Sequence, residues 1–387
     1  MPDAPARVAE LQENITVKIR HTLRKLPALA GLLLLVVGVA TVHTVALAGQ
    51  TRAFGDAFVL GTFPTPPGFP EGIAVNGNKA YVSGPARFGT AGDGQPSLVV
   101  AFDTRTGEIV RTYPMQGEDL SQDHANSCVA FDDAGRLYVV NIQLGIVRLD
   151  TETGQQEVYA SAIPNIPNCA NAPANTPCSP TAIDAPPLAN DIAFDEAGNA
   201  YITDSLQATI WRVAPGGGQP HIWFQDSKLD TPFGANGLRL NPEGTKIYFA
   251  VTAEGVNQLG AFEGGKIYTL PVVDAPAASD LKVFHQYNGE GPDGIAFGRS
   301  GKLYVALAVP FNSGISILHT DGTEATRLQN AQNPFEPYDS PANIAFNKHG
   351  SLLVTNHAFA TMIPAHFNVL DVYVADKESP LVRPVLP

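Results

Sequence analysis

The sequence has 387 residues, 44% of them hydrophobic, so it is long and apolar enough to bury a globular core in one large or two ordinary domains. Its formal net charge is -13, and basic residues are not clustered in the body of the chain. Because proteins that bind nucleic acid need concentrated positive charge against the phosphate backbone, this pattern excludes a nucleic-acid partner.

An apolar segment without charged side chains lies near the N-terminus, at residues 27–49. As a helix it would extend about 34 Å, enough to cross a hydrocarbon core about 30 Å thick. The preceding residues include the basic side chains Lys18, Arg20, Arg24 and Lys25. By the positive-inside tendency they predict a cytoplasmic N-terminus and a membrane-anchored domain on the other side. The alternative is a cleaved signal peptide ending at residues 46–48, which would make the domain secreted, although signal cores usually run about 7 to 15 residues.

The rest of the chain repeats one motif six times. Each copy has a short apolar strand, a polar turn with Gly or Asn, and a second β-rich strand with Tyr or Leu, which is typical of a β-hairpin. The copies begin at Glu71, Ser127, Asn190, Asn236, Asp293 and Ala342. Their spacing of 46 to 63 residues leaves room for four strands per copy, as in the blades of a propeller.

We therefore predict an all-β fold, a six-bladed β-propeller preceded by a transmembrane or signal helix. The expected organisation is a cytoplasmic segment at residues 1–25, the anchor or signal sequence at 26–49, and the propeller as one domain at 50–387. The strand-like residues 58–63 come before the first copy. We expect them to join the last blade, beside residues 368–376, because a mixed blade closes the ring and protects its edges.

The three cysteines fit an exported domain. Cys169 and Cys178 lie in one loop rich in Pro, Asn and Ala, where a disulfide could hold an otherwise loose segment. Cys128 lies in an apolar run, and we expect it to be a small buried side chain.

Five of the six starting positions of the copies are polar. In a propeller the first strand of each blade runs along the central channel, so these residues face one another at one mouth of the channel. Neighbouring buried carboxylates repel each other and lose hydration unless a cation binds them. The oxygen donors Glu71, Asn190, Asn236 and Asp293 suit Ca²⁺ or Mg²⁺, and this register has no Cys or His for a softer metal. The alternative is that they are turn residues bonded to local backbone.

Several of these segments resemble the blade motifs of the regucalcin and gluconolactonase family, which also includes senescence-marker-like and luciferin-regenerating-enzyme-like proteins. They are "PEGIAV", "LANDIAFDEAGNAYITDS", "GANGLRLNPEGTKIYFA" and "GPDGIAFGRSGKLYVAL". Paraoxonases and strictosidine synthase-like proteins are more distantly similar. The resemblance covers residues 58–375 and implies a six-bladed propeller with a divalent ion in its channel. It favours Ca²⁺, with Zn²⁺ or Mg²⁺ as alternatives, and lactone or ester hydrolysis as the activity.

The resemblance also implies roles for individual residues. Glu71, Asn236 and Asp293 match the direct metal ligands of the family, and Asn190 matches the asparagine that approaches the metal or the substrate. Asp293 matches the aspartate that acts as general base in members with a hydrolytic mechanism.

Two departures from the family pattern bear on the substrate. Sugar-lactone hydrolases often have Arg where this chain has Leu188, so we expect an apolar pocket wall and a less polar lactone or ester. Paraoxonases have a histidine where this chain has Ser127, although His124 lies close by. We therefore expect Asn190, Ser127 and His124 to contact the substrate.

Asp191 has no acidic partner in the sequence. It occupies a slot that is Gly in three other copies, so we expect its side chain to face away from the ion. In paraoxonases the residue at this slot helps to hold a second, structural calcium, together with an acidic residue where this chain has Gly72. Because that partner is missing, we expect Asp191 to fasten backbone or a loop, with a second ion as the alternative.

The leading functional hypothesis is an exported, metal-dependent hydrolase of lactones or related esters, joined to the membrane by its N-terminal helix. No G-x-S-x-G segment is present, so an acyl-enzyme route has no support in the sequence. One alternative is a non-catalytic propeller that binds a ligand or protein and holds its ion as a structural plug. Another is strictosidine synthase-like condensing or lyase chemistry, which would need a single base in an aromatic pocket.

Overall fold

The computed structural model describes residues 52–256 and 262–387. The predicted cytoplasmic segment and the predicted anchor or signal helix lie outside these residues. The helices of the described part are three short 3-10 turns, at Ser227–Leu229, Ala278–Asp280 and Pro364–His366. None of the helices in these two ranges is long and apolar enough to span a membrane.

In the described ranges, the strands form six four-stranded antiparallel sheets, which are the blades, and one small hairpin. Blade 1 contains β2 (Ile73–Asn76), β3 (Lys79–Gly84), β4 (Leu98–Asp103) and β5 (Ile109–Pro114). Blade 2 contains β6 (Asn126–Phe131), β7 (Leu137–Asn141), β8 (Gly145–Leu149) and β9 (Gln156–Ala160). Blade 3 contains β10 (Ala189–Phe194), β11 (Ala200–Asp204), β12 (Thr209–Val213) and β13 (His221–Gln225).

Blade 4 carries the small hairpin between its second and third strands. It contains β14 (Phe233–Leu240), β15 (Lys246–Ala253), β18 (Gly265–Pro271) and β19 (Lys282–Tyr287), and the hairpin pairs β16 (Gly255–Val256) with β17 (Phe262–Glu263). Blade 5 contains β20 (Pro292–Phe297), β21 (Leu303–Leu307), β22 (Gly314–Leu318) and β23 (Glu324–Gln329). Blade 6 contains β24 (Pro341–Phe346), β25 (Ser351–Asn356), β26 (Asn368–Tyr373) and β1 (Ala57–Thr62).

The ring closes as predicted, because the outer strand of blade 6 comes from the start of the propeller. Strand β1 pairs antiparallel with β26, with Ala57 opposite Val372 and Thr62 opposite Asn368. The first strands of neighbouring blades contact one another in an unbroken circle from blade 1 to blade 6 and back. The prediction of a six-bladed all-β propeller is confirmed.

The Tyr and Phe positions of the repeat explain how the blades stack. In four of the six interfaces, a Tyr in the second strand of one blade meets edge-on the Phe that ends the first strand of the next, an arrangement that aromatic rings favour. These pairs are Tyr81–Phe131, Tyr138–Phe194, Tyr248–Phe297 and Tyr304–Phe346, with ring centroids 5.0 to 5.2 Å apart. The hydrophobic core is accordingly divided into six clusters, each shared by two neighbouring blades.

The C-terminal strap, residues 377–387, crosses one end of the central channel. The Arg383 guanidinium donates to the carbonyl of Val75 in blade 1 at 2.9 Å. Arg136 of blade 2 donates to the carbonyl of Leu386 at 2.6 Å, and the Leu386 side chain is buried in the core between blades 2 and 3. The strap therefore covers this end of the channel and ties several blades together.

Candidate functional site

A cavity of about 220 Å³ lies at the end of the channel opposite the C-terminal strap. All six blades contribute to its lining. Its polar lining includes the four predicted oxygen donors, Glu71, Asn190, Asn236 and Asp293, which are 1 to 7% exposed. The structure therefore brings together the four residues that the repeat placed in one register.

A β-bulge at the start of the first strand presents three of these donors. The pairing of the first and second strands shifts between Ala189 and Ile192 in blade 3, so that Asn190 and Asp191 fall in the gap. The same shift brackets Asn236 in blade 4 and Asp293 in blade 5. Bulges commonly re-aim side chains beside functional sites, and here they occur at one register in successive blades.

The glycine that follows a donor is required by the close approach of neighbouring first strands. A Cβ on Gly237 would lie 2.4 Å from the carbonyl oxygen of Asp293, and one on Gly294 would lie 2.5 Å from the Cα of Asn343. No side chain fits at those distances. The Asn-Gly and Asp-Gly pairs of the repeat therefore combine one cavity side chain with one backbone contact.

Three of the donor oxygens are buried without a hydrogen-bond partner among the residues that the structure describes. They are the Oδ1 atoms of Asn190, Asn236 and Asp293. The amide nitrogen of Asn236 donates to Thr252 Oγ1 at 2.8 Å, which fixes the orientation of the amide and leaves its oxygen free. Because buried polar atoms are nearly always paired, three orphaned oxygens in one cavity lining indicate a missing electropositive partner.

The carboxyl groups of the site are held in an environment that disfavours their charge. Burial, and then the charge of Asp191, raise the pKa of Glu71 to about 8. Burial raises the pKa of Asp293 well above its usual value, and the charges of Glu71 and Asp191 raise it further. Two such carboxylates are ionised together only at a high free-energy cost unless a cation lies between them.

These residues fit a hard divalent cation. Carboxylate and amide oxygens are ligands that Ca²⁺ accepts in flexible geometry, and a cation would pair the orphaned oxygens and remove the repulsion between the carboxylates. Within residues 52–256 and 262–387, no three His, Cys, Asp or Glu side chains are grouped so that they could hold a metal. An ion here would therefore depend on the two amides as well as the two carboxylates.

Asp191 lies fully buried beside the site, and its carboxylate is paired within the protein. Its Oδ2 accepts from the backbone nitrogen of Leu238 at 2.9 Å and from the Arg239 guanidinium at 2.7 Å, while its Oδ1 accepts from the nitrogen of Ile192 at 2.8 Å. Asp191 thus ties the first strand of blade 3 to that of blade 4, which agrees with the expectation that it fastens backbone.

The other two residues predicted to contact substrate have different positions. Ser127 lines the cavity, and its hydroxyl donates to the carbonyl of Ala189 at 2.9 Å. His124 is not among the lining residues. It is fully buried, and its ring nitrogens lie 3.0 Å from the carbonyl of Gln122 and 2.8 Å from that of Gln95. The structure brings Ser127 to the site and leaves His124 in the loop beside it.

His357 is a lining residue to which the sequence assigned no role. Its Nε2 lies 2.7 Å from the carbonyl of Ala86 and 3.8 Å from Glu71 Oε2. Burial lowers the pKa of His357 to about 4, so the ring is neutral near pH 7. A neutral ring that donates from Nε2 to Ala86 leaves Nδ1 as an acceptor. The sequence signal was a single His directly after a buried strand, which does not reveal its neighbours.

The long loop between blades 2 and 3 forms part of the cavity wall through Leu188. A disulfide joins Cys169 and Cys178 within this loop. Leu188 is fixed by Asp204, whose carboxylate accepts from the Leu188 nitrogen at 3.0 Å. Cys128, the other cysteine, is free and buried, and its sulfur accepts from the Asn343 amide.

Solved structures that are similar to this chain share its propeller. A calcium-binding protein, regucalcin, from Agrobacterium tumefaciens is 17% identical with a TM-score of 0.59, covering 87% of this chain and 100% of its own. A luciferin-regenerating enzyme is 16% identical with a TM-score of 0.53, covering 86% and 100%. A gluconolactonase from Xanthomonas campestris is 15% identical with a TM-score of 0.50, covering 83% and 98%. At these identities the likeness shows the fold.

Comparison with curated proteins gives no match to this chain. The family model of the SMP-30/gluconolactonase/LRE-like region matches residues 89–358, which include Asn190, Asn236 and Asp293. Glu71 precedes the matched residues, and the structure brings it to the same cavity. Because the match covers well over half of the sequence, the chain belongs to the SMP-30/gluconolactonase/LRE-like family.

Proposed function

We propose that this protein is an exported, metal-dependent hydrolase of lactones or related esters. The observation that carries the proposal is the set of orphaned oxygens of Asn190, Asn236 and Asp293, buried beside Glu71 at a cavity large enough to admit a small molecule. Membership of a family that includes gluconolactonases supports the reaction class. The uncharged residues 27–49 support export and attachment to a membrane.

Glu71, Asn190, Asn236 and Asp293 would hold the ion, and Ca²⁺ suits this donor set best, with Mg²⁺ or Zn²⁺ as alternatives. When bound, the ion supplies a Lewis acid for the substrate carbonyl and for the oxyanion that develops from it. A calcium-binding regucalcin among the structural neighbours supports this choice of metal.

The chain's own residues provide the proton transfers. Asp293 takes a proton from the water molecule that attacks the carbonyl carbon, and the carbon–oxygen bond of the ring then breaks. The proton passes from Asp293 to the alkoxide that leaves, so the products are a hydroxy acid and the free Asp293 carboxylate. Asn190 orients the substrate, and the uncharged His357 ring, whose Nε2 lies 3.8 Å from Glu71 Oε2, adds no positive charge beside Glu71.

The test is an assay of the full-length protein on a panel of lactones and aryl esters, with Ca²⁺ and with a chelator. We expect hydrolysis that depends on the metal and recovers when Ca²⁺ is restored. Turnover that is insensitive to the chelator would overturn the metal-dependent mechanism. Binding of a lactone without turnover, in calcium-loaded protein, would favour the alternative of a non-catalytic propeller with a structural ion.

A further inference from the structure

The wall of the cavity above the oxygen donors is apolar on every side. Each blade supplies one large or branched apolar side chain, and these residues are Phe88, Ile142, Leu206, Phe233, Val309 and Phe359. Leu188 adds a further one from the long loop. An apolar lining of this kind favours a ligand that brings apolar surface of its own out of water.

Three polar side chains of the wall use hydrogen-bond donors within the protein. The hydroxyls of Ser127 and Thr252 donate to the carbonyls of Ala189 and Pro292, at 2.9 Å and 2.8 Å. The Asn126 amide donates to the carbonyl of Leu98. A substrate hydroxyl that needed one of these donors would displace an existing bond.

Arg87 and Ser340 are two further polar side chains of the wall. The terminal nitrogens of Arg87 bond to Asp93 and to the carbonyls of Phe88 and Gly89. Its Nε and the Ser340 hydroxyl oxygen have no partner within the described residues, so these two groups remain for a ligand. A lactone with more hydroxyl groups than these open partners would leave the others desolvated and unpaired, which is costly.

The loops of blades 5 and 6 that carry wall residues also carry exposed apolar side chains. Phe311, in the loop that also carries Val309, is 57% exposed, and its ring centroid lies 5.4 Å from that of Phe335. Ile363, in the loop that carries Phe359, is 43% exposed. A chain attached to a ring at the donors could follow this surface toward solvent.

We propose that the substrate is a lactone with a hydrocarbon substituent and without ring hydroxyl groups, whose substituent lies against Phe359 and leaves the cavity over blades 5 and 6. This inference rests on the proposed hydrolase function and names its substrate class. The lactone carbonyl lies at the site formed by the four oxygen donors, and the apolar wall binds the substituent.

The first test measures kcat/KM for the full-length protein on butyrolactones with alkyl chains of increasing length, beside a sugar lactone. We expect kcat/KM to rise about threefold per added methylene over the first four, because each is withdrawn from water. Hydrolysis of the sugar lactone at an equal or higher kcat/KM would overturn the inference and leave the hydrolase function intact. Failure to hydrolyse any lactone would overturn the function itself.

The second test removes part of the wall. We expect Phe359→Ala to lower the ratio of kcat/KM between the longest alkyl lactone and the unsubstituted one by about tenfold. The matched control is Val158→Ala, a large-to-small change on the outer strand β9, where Val158 is 60% exposed, and it should leave the ratio unchanged. An unchanged ratio in Phe359→Ala would overturn the assignment of the substituent to this wall.

A binding measurement separates recognition from catalysis. Alkyl lactams cannot be hydrolysed readily, and we expect those with longer chains to raise the melting temperature of calcium-loaded wild-type protein progressively. Phe359→Ala should flatten that dependence, while its melting temperature without ligand shows whether the variant is folded. Equal shifts for short and long lactams in the wild type would contradict the proposal, whatever the turnover.

Discussion

Asn190 and Asp191 are neighbours in the chain, yet their side chains have opposite surroundings. In the described part of the chain, the Asn190 oxygen is buried at the cavity without a partner, as are the oxygens of Asn236 and Asp293. The Asp191 carboxylate accepts from two backbone nitrogens and from Arg239. The oxygens at the mouth of the channel are therefore unpaired within the described residues, whereas the Asp191 carboxylate is paired with Arg239. Buried polar groups can be stabilised in either way, and only unpaired groups leave a place for a ligand.

The largest effect is expected from Asp293→Asn, which removes the proposed base and one charge of the mouth. We expect kcat/KM for lactones to fall about 10³-fold or more, because general-base catalysis alone contributes up to about 10⁴-fold. Circular dichroism should show an unchanged propeller. A variant that keeps its full activity would break the assignment of the mouth as the reaction site.

The next effect concerns the stability contributed by the buried ion pair of Asp191 and Arg239. Asp191→Asn leaves the Arg239 guanidinium, 13% exposed, without its carboxylate, and we expect a loss of about 3–5 kcal/mol in the free energy of unfolding. The double variant Asp191→Asn with Arg239→Met should recover much of this loss, since it removes both charges. Urea denaturation of the single and double variants measures the free energy of unfolding of each. If the losses of the single variants simply add in the double variant, the stabilising ion pair is contradicted.

A smaller, pH-dependent effect is expected at the strap end of the channel. Burial raises the pKa of Glu378 to about 7, with Arg383 and Arg239 opposing the shift. Since the folded pKa lies above the unfolded value, the stability that this group contributes is present below about pH 4.5 and is lost as the pH rises through about 7. Glu378→Gln should therefore stabilise the protein at pH 8 relative to wild type, by on the order of 1 kcal/mol, and not at pH 4. Melting temperatures at the two pH values test this.

The smallest effect is expected from Ser127→Ala in the cavity wall. The Ser127 hydroxyl is committed to Ala189, so its loss should cost about 1 kcal/mol of stability and change kcat/KM by no more than about threefold. Steady-state kinetics measures the change in kcat/KM, and thermal unfolding measures the change in stability. A loss of activity comparable to that of Asp293→Asn would show that Ser127 takes part in the reaction.

The number of blades and the oxygen donors at the mouth of the channel could be predicted from the sequence, because both depend on the register of the repeat. A motif that recurs six times determines the number of blades and the residue that begins each first strand. The closing strand was predicted at residues 58–63 and lies at Ala57–Thr62. The donors Glu71, Asn190, Asn236 and Asp293 line one cavity, as their shared position in the repeat implied.

Contacts that depend on loop paths or on other blades could not be read from the repeat. Arg239 is a single basic residue in the apolar stretch "GLRLNP" of blade 4, and nothing local in the sequence links it to Asp191 in blade 3. His124 lies near a strand start, but its loop turns the ring toward backbone carbonyls. His357 lies in the cavity because the loop of blade 6 folds over Ala86 of blade 1.

The central claim is that the four donors at the mouth of the channel bind a single divalent ion and that the Asp191 carboxylate binds none. Calorimetric titration of Ca²⁺ into metal-free full-length protein tests it most directly, with the double variant Glu71→Gln, Asp293→Asn as the comparison. We predict about one equivalent bound by the wild type and none by the variant under the same conditions. Two equivalents in the wild type, or undiminished binding in the variant, would contradict the account.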